Sequence, residues 1–175
     1  DSEDCHHKAK VHFRLHNYKE SERLYVKALE FCNGGADDLE KNLRAERIRC
    51  LNNIALVEFK LEKYAESKAA CEKVLRLDTT NIKSRYRLGL LFERESKYAE
   101  SLSHFAAVLK AQIALRDQAE SPEKKKSIEA AILRTSKAVA RVKQTRSTYK
   151  KSQRQFSKAM LRRRGVDRKD SPPIS

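Results

Sequence analysis

The side chains best suited to chemistry in this 175-residue chain are cations and amides placed to bind anions. Lys83 and Arg87 are four residues apart, so both charges stand on one face of a predicted helix. Asn53 precedes Arg87 by 34 residues, which is also the interval of the repeated motif described next. Stacked repeats bring equivalent positions side by side, and cations with amide donors can grip paired carboxylates. The spacing therefore predicts a carboxylate-binding site.

A four-residue motif that begins with tyrosine occurs three times and indicates the fold. The copies are Tyr18-Lys19-Glu20-Ser21, Tyr64-Ala65-Glu66-Ser67 and Tyr98-Ala99-Glu100-Ser101. Apolar residues follow each tyrosine by seven, ten and eleven positions, so they share one helical face, and another helical stretch precedes each copy. The last two copies are 34 residues apart, but the first interval is 46 residues, so 12 residues are extra. We expect the extra residues in a turn at residues 32–38 and in a longer following helix.

This pattern predicts an all-α, right-handed solenoid of three helix pairs, followed by a long basic seventh helix. The expected segments are three repeats at 1–33, 48–81 and 82–118, an inserted loop and helix extension at 34–47, a seventh helix at 119–164 and a disordered tail at 165–175. The first half of the seventh helix is expected to cover the third repeat, and the second half to project. Gly165 is expected to end the helix.

Positive charge is concentrated in the last third of the chain. The net charge is +15, and residues 119–175 contribute +12 of it, from 17 Lys and Arg against 5 Asp and Glu. A basic amphipathic helix is typical of calmodulin targets and of membrane-surface elements, so calmodulin or another acidic protein is an alternative partner for residues 141–164. Nucleic acid is less favoured, because no base-reading motif or row of exposed aromatics accompanies the charge. The alternative to a binding role is that this segment is a solvated extension of the seventh helix.

Composition excludes several other classes of function. The chain has only four Gly and three Pro, which argues against a sheet protein, and it has no apolar run long enough for a membrane span. Its four cysteines form no C-x-x-C pair, and His12 and His16 lack further ligands, so we predict no metal site and no cofactor. No nucleophile motif or phosphate-binding loop is present, so we do not expect an enzyme. A reducing, cytoplasmic setting fits best, and the missing initiator Met indicates part of a longer protein.

The 34-residue helix–turn–helix period resembles the tetratricopeptide repeat (TPR). Small residues recur at one position of each first helix, as in that family, at Ala9, Ala55 and Gly89. The chain departs from the family pattern at four positions, Ser21, Ser67, Ser101 and Thr79. The three serines stand where alanine is usual and the threonine stands where proline often ends a repeat. All four are small enough for close packing of the helices.

Three segments resemble the C-terminal TPR domain of large FKBP-type immunophilins, which are peptidyl-prolyl isomerase cochaperones. They are residues 49–55, 81–87 and 156–160. The resemblance implies an isomerase domain before residue 1 of this chain. It also implies a groove that binds the C-terminal Glu-Glu-Val-Asp peptide of heat-shock chaperones, with the ninety-kilodalton class favoured.

The family grips that peptide with a carboxylate clamp of five positions, and this chain matches three of them with Asn53, Lys83 and Arg87. His6 stands at the clamp lysine position and Lys10 at a clamp asparagine position. His6 is mostly neutral at pH 7 unless an anion raises its pKa, whereas Lys10 can supply charge, so weaker or more pH-sensitive binding is expected. Further candidates for peptide contact are Arg49, Asn52 and Tyr86. The alternative is a TPR scaffold whose degenerate clamp binds another protein.

Overall fold

A computed structural model of the chain describes residues 1–32 and 40–169, with side chains described except at 40–42 and 163–169. Within these ranges the chain forms seven α-helices and no strand. The helices are α1 (Ser2–Arg14), α2 (Tyr18–Phe31), α3 (Glu40–Lys60), α4 (Tyr64–Leu77), α5 (Ile82–Arg94), α6 (Tyr98–Asp117) and α7 (Pro122–Lys169). This confirms the predicted all-α solenoid of three helix pairs and a long seventh helix.

The helices pack in the order of the chain. The three pairs are α1 with α2, α3 with α4, and α5 with α6. The pairs stack through contacts of α2 with α3 and of α4 with α5, and α7 packs on α6. One apolar cluster runs from the first pair into α5 and includes Ala9, Tyr25, Ile54 and Leu88. Another cluster joins the third pair to α7 around the fully buried ring of Phe105. Each pair thus covers an apolar face of the next, and α7 covers the last pair.

The helices of each pair approach closely at the three motif serines. The serine hydroxyl donates to a carbonyl of the preceding helix in every pair: Ser21 to Ala9 at 2.9 Å, Ser67 to Ala55 at 2.7 Å and Ser101 to Gly89 at 2.7 Å. All six residues are buried. Each pair therefore gains a buried hydrogen bond because a serine stands where the family usually has alanine. The small size of serine predicted the close packing but not this bond.

The turn inside each pair has the same backbone conformation. His16, Glu62 and Ser96 have φ values of 60°, 61° and 59°, in the left-handed region that non-glycine residues seldom adopt. Each lies two residues before the tyrosine of the motif. The backbone N–H of the residue after it donates to a carbonyl five residues back, with distances of 2.9 Å in all three turns. None of these three residues is glycine, the residue that usually marks a left-handed conformation in a sequence. The conformation was therefore not predictable from the sequence and is seen only in the structure.

Helix α3 contains the extra residues of the first interval. It has 21 residues, against 13 in each of α1 and α5, and it begins within the segment 34–47 that the sequence assigned to a loop and helix extension. The added turns are tied to neighbouring helix ends: Arg47 Nε donates to the Cys32 carbonyl at 2.9 Å, and the Arg44 guanidinium donates to the Leu77 carbonyl. The predicted turn at 32–38, apart from Cys32, lies outside the described residues.

Helix α7 has 48 residues and is therefore roughly 70 Å long. Its first half buries Thr135, Ala138 and Val142, and Arg141 makes two hydrogen bonds to the Glu93 carboxylate of α5, of 2.7 and 2.6 Å. From residue 147 to residue 162 every side chain is exposed.

The far end of α7 differs from the sequence-based expectation. The sequence predicts that the helix stops at Gly165, but α7 continues to Lys169. Glycine can adopt helical dihedral angles, and after Pro122, at the start of α7, no proline that would break the hydrogen-bond ladder occurs before Pro172. Residues 170–175 of the predicted tail lie outside the described residues. Among the helices described here, none combines the length and the apolar character that crossing a bilayer requires.

Candidate functional site

Helices α1, α3, α5 and α7 line a row of three cavities on one side of the solenoid. Lys10 and Asn53 line a cavity of about 250 Å³ between α1 and α3. Asn53 and Lys83 line one of about 430 Å³ between α3 and α5, and Lys83 and Arg87 line one of about 330 Å³ between α5 and α7. Because neighbouring cavities share Asn53 or Lys83, they form one surface, which we call the groove. Four of the five predicted clamp residues therefore line the same groove.

Lys83 and Arg87 occupy the centre of the groove in different environments. Lys83 is exposed at the start of α5, whose first turn is capped by the Asn81 side chain accepting from the Ser84 backbone N–H at 3.1 Å. Arg87 is half-buried, and its Nη1 donates to the Asn52 carbonyl of α3 at 3.2 Å. Burial lowers the pKa of Arg87, yet a guanidinium remains charged at neutral pH. Arg87 is thus held against α3 by this bond, and it lines the cavity between α5 and α7.

The two adjacent asparagines of α3 have different roles. Asn52 is only 7% exposed, and its Oδ1 accepts from the Ser84 hydroxyl at 2.9 Å while its Nδ2 donates to the Ile48 carbonyl at 3.0 Å. Asn52, a predicted contact residue, lines the same cavity as Asn53. Its amide is used by these two bonds, of which the Ser84 bond joins α3 to α5 and the Ile48 bond stays within α3. Asn53 is less buried and faces α1, with its Nδ2 3.2 Å from His6 Nε2.

His6 lies behind the groove surface. It is 3% exposed, its ring packs edge-on against Tyr25 with centroids 5.1 Å apart, and it is absent from the lining of the three cavities. Burial, assisted by the charges of Arg49 and Lys10, lowers the pKa of His6 to about 4. The ring is therefore neutral at pH 7, and with its proton on Nδ1 it accepts a hydrogen bond from Asn53. A charged His6 is therefore disfavoured in the folded chain.

Two further cations lie beside this neutral histidine. Lys10 is exposed on α1, one turn after His6. Arg49 is on α3, one turn before Asn53, and its guanidinium pairs with the Glu46 carboxylate. Arg49 lines the same cavity as Asn53 and Lys83. Lys10 and Arg49 thus place positive charge in the two cavities that share Asn53, although the histidine is neutral and Glu46 offsets part of the charge.

The α7 side of the groove is more apolar. Tyr86, a further predicted contact residue, lines the cavity there and packs against the Phe105 ring with centroids 5.3 Å apart. Arg134 of α7 lines the same cavity, beside the buried Thr135, whose hydroxyl donates to Gln112 Oε1 at 3.1 Å. Sequence reasoning missed Arg134, because it is one of many cations in α7 and only the docking of α7 on α6 brings it to the groove.

The cysteines and histidines form no site of their own in the described part of the chain. All four cysteines are free and buried, at Cys5, Cys32, Cys50 and Cys71. Burial raises the pKa of the Cys50 thiol to about 12, so this thiol stays protonated and unreactive at neutral pH. Within the described ranges, no three His, Cys, Asp or Glu side chains are placed to hold a metal ion.

Comparisons with known proteins identify the class of this domain. Residues 47–77 match the family model of the tetratricopeptide repeat. The C-terminal TPR-containing domain of an FK506-binding protein from Plasmodium falciparum is similar over 83% of this chain and 91% of that one, with 21% identity and a TM-score of 0.61. This chain therefore has the fold of a TPR domain, a solenoid of helical repeats.

Two other similar structures contain a bound partner. The first TPR domain of Spaghetti (RPAP3), bound to the HSP90 peptide SRMEEVD, matches 79% of this chain and 93% of that one, with 19% identity and a TM-score of 0.53. The TPR2B domain of yeast Sti1, in a complex with pHsp70, matches 78% of this chain and 96% of that one, with 15% identity and a TM-score of 0.54. At these identities the likeness establishes the shared fold.

Proposed function

We propose that this chain is the peptide-binding TPR module of an immunophilin-like cochaperone, and that its groove binds the acidic C-terminus of a heat-shock chaperone. The observation that carries the proposal is the alignment of Asn53, Lys83 and Arg87 along one continuous groove. The ligand we propose ends in Glu-Glu-Val-Asp, with the ninety-kilodalton chaperone class favoured. In support, similar TPR domains have been solved with an HSP90 peptide and with pHsp70.

The chemistry of the groove suits a peptide with two carboxylates at its end. Lys83 supplies a mobile point charge, Arg87 supplies a fixed fork of N–H donors, and Asn53 supplies a neutral amide. Lys10 adds an exposed charge beside Asn53. Hydrogen bonds from charged donors to carboxylates are roughly twice as strong as neutral ones, so affinity should depend on the free C-terminal carboxylate.

The test is fluorescence-polarisation binding of a labelled peptide ending Met-Glu-Glu-Val-Asp, with the same peptide amidated at its C-terminus as the control. We expect micromolar binding that amidation abolishes. Lys83→Ala or Arg87→Ala should each weaken binding about tenfold or more while leaving the helical circular dichroism unchanged. Lys110→Ala is the matched control, since Lys110 is exposed on α6 outside the groove, and it should bind normally. Unchanged affinity in both groove variants would refute the clamp.

A second proposed function rests on the exposed half of α7. Residues 130–162 contain ten Lys and Arg and no Asp or Glu. The helical face that buries Val142 continues as Tyr149, whose ring centroid is 5.9 Å from that of Tyr98 in α6, and then as the exposed Phe156 and Met160. We propose that this segment binds an acidic protein such as calmodulin, whose charge and apolar clefts complement it. Truncation before Tyr149 should abolish this binding and spare peptide binding in the groove, and added salt should weaken it steeply.

A further inference from the structure

The groove lacks the cation that the family places on its first helix. His6 holds that position but is neutral and buried, with its ring committed to Asn53 and Tyr25. An anionic peptide end next to Asn53 would therefore meet no charge from this residue. Lys10 is the nearest cation of α1, but it lines only the cavity between α1 and α3, and it is absent from the cavity that Asn53 shares with Lys83.

Arg49 stands where that missing charge is needed. It is one turn before Asn53 on α3, lines the cavity that contains Asn53 and Lys83, and is close enough to lower the pKa of His6. Its side chain is 40% exposed, so the guanidinium reaches the groove surface. Its Nε is buried and has no hydrogen-bond partner. A buried donor without a partner costs free energy.

The present partner of Arg49 is Glu46, one turn further back on the same helix. The pair is an i, i+3 contact between side chains that are 40% and 31% exposed. Exposed helical ion pairs of this kind are weak, so a bidentate peptide carboxylate can replace Glu46. Glu46 also places a negative charge beside the groove, where it repels an acidic peptide.

We propose that Arg49 replaces His6 as the carboxylate-binding cation beside Asn53, in the cavity between α3 and α5, and that Glu46 acts as an internal competitor which the peptide displaces. This inference rests on the proposed function of the groove. Under this proposal, one charge of the clamp is supplied by α3, in the second helix pair, and not by α1. It also adds a residue that limits affinity: removing Glu46 should strengthen binding, whereas removing Arg49 should weaken it.

The experiment measures binding of the labelled Met-Glu-Glu-Val-Asp peptide, as free acid and as C-terminal amide, to four chains. These are the unmodified chain and the variants Arg49→Gln, Arg49→Lys and Glu46→Gln. We expect Arg49→Gln to weaken binding of the free acid about tenfold, and Arg49→Lys to recover part of the loss because it keeps the charge but not the planar fork. Glu46→Gln should tighten binding about threefold, since it frees Arg49 and removes the repulsion.

The amide distinguishes direct contact from an indirect effect. If Arg49 binds the terminal carboxylate, amidation of the peptide and the Arg49→Gln substitution remove the same interaction. Amidation should then cost less affinity in Arg49→Gln than in the unmodified chain. Equal costs of amidation in the two chains would overturn the assignment to that carboxylate. The gain expected for Glu46→Gln guards against misfolding as an explanation, since a damaged fold does not bind more tightly.

Two results would overturn the inference, and they differ in what they mean for the groove. If Arg49→Gln and Glu46→Gln both leave affinity unchanged while Lys83→Ala abolishes binding, Arg49 has no role and the proposed function stands. If neither the unmodified chain nor Glu46→Gln binds the free-acid peptide, the proposed function is refuted, and this role of Arg49 with it.

Discussion

The hydroxyl of Ser67 donates a 2.7 Å hydrogen bond to the carbonyl of Ala55, across the interface of α3 and α4. Both residues are fully buried. In each of the other two pairs, a serine hydroxyl donates in the same way to the carbonyl of the residue 12 positions earlier in the chain. A sequence motif that marks the start of each second helix is therefore also a polar contact that sets how closely the two helices approach.

Replacing Ser67 tests how this contact stabilises the second pair. Ser67→Ala should lower the free energy of unfolding by about 1 kcal/mol, because it removes the donor while the Ala55 carbonyl keeps its bond within α3. Ser67→Val should cost about 2–3 kcal/mol, because its added carbon must fit where the serine is fully buried. Urea denaturation followed by circular dichroism measures both. Equal losses in the two variants would mean that the interface has spare room.

Gly89 is the point of closest approach in the third pair. A Cβ at this position would lie 2.7 Å from Phe105 Cε1 and 2.9 Å from two further ring atoms. We expect Gly89→Ala to destabilise the chain by about 2 kcal/mol, although alanine favours helix, because the buried ring cannot move without disturbing the contact with α7. Thermal unfolding should show the loss, and a Phe105→Leu background should reduce it. A stabilised Gly89→Ala chain would contradict this packing.

His6 should make stability fall with acid. Its folded-state pKa of about 4 lies below its ordinary value of 6.5, so the unfolded chain binds the proton more readily. The stability that His6 contributes is complete above about pH 6.5 and is lost as the pH falls towards 4, by about 3 kcal/mol in all. His6→Gln should remove this dependence, as measured by urea denaturation between pH 4 and 8. A slope unchanged by the substitution would show that His6 is not buried in its neutral form.

Glu58 should make the chain less stable as the pH rises, which is opposite to the effect of His6. Burial, with Glu22 and Glu66 nearby, raises its pKa from 4.5 to about 7, and its Oε2 has no hydrogen-bond partner. The folded chain therefore binds the proton more readily, so stability is highest below pH 4.5 and falls as the pH rises to 7. The expected loss is about 1 kcal/mol after solvent screening of this half-buried group. Glu58→Gln should flatten this slope and stabilise the chain at pH 8, and a destabilised variant at pH 8 would contradict it.

Much of the fold follows from local patterning in the sequence. The 34-residue interval and the apolar positions after each tyrosine predicted the helix pairs, since periodicity along one helix depends only on the order of residues. The small residues Ala9, Ala55 and Gly89 predicted the close approaches. The same interval predicted that Asn53, Lys83 and Arg87 would line one side, because stacking carries equivalent positions into line. Their role in binding a peptide remains a prediction.

The state of each side chain was decided only by the tertiary structure. The sequence makes His6 a clamp candidate that an anion could charge, but Tyr25 and Asn53, from other helices, pack against it, and burial holds it neutral. Asn52 and Asn53 are neighbours of the same type and both line the groove, yet the amide of Asn52 is bonded to Ser84 and that of Asn53 lies against His6. Burial and pKa depend on residues far away in the chain, so one-dimensional spacing does not encode them. The sequence by itself thus determined the repeat and the row of groove residues, whereas three-dimensional packing decided which of them carry charge there.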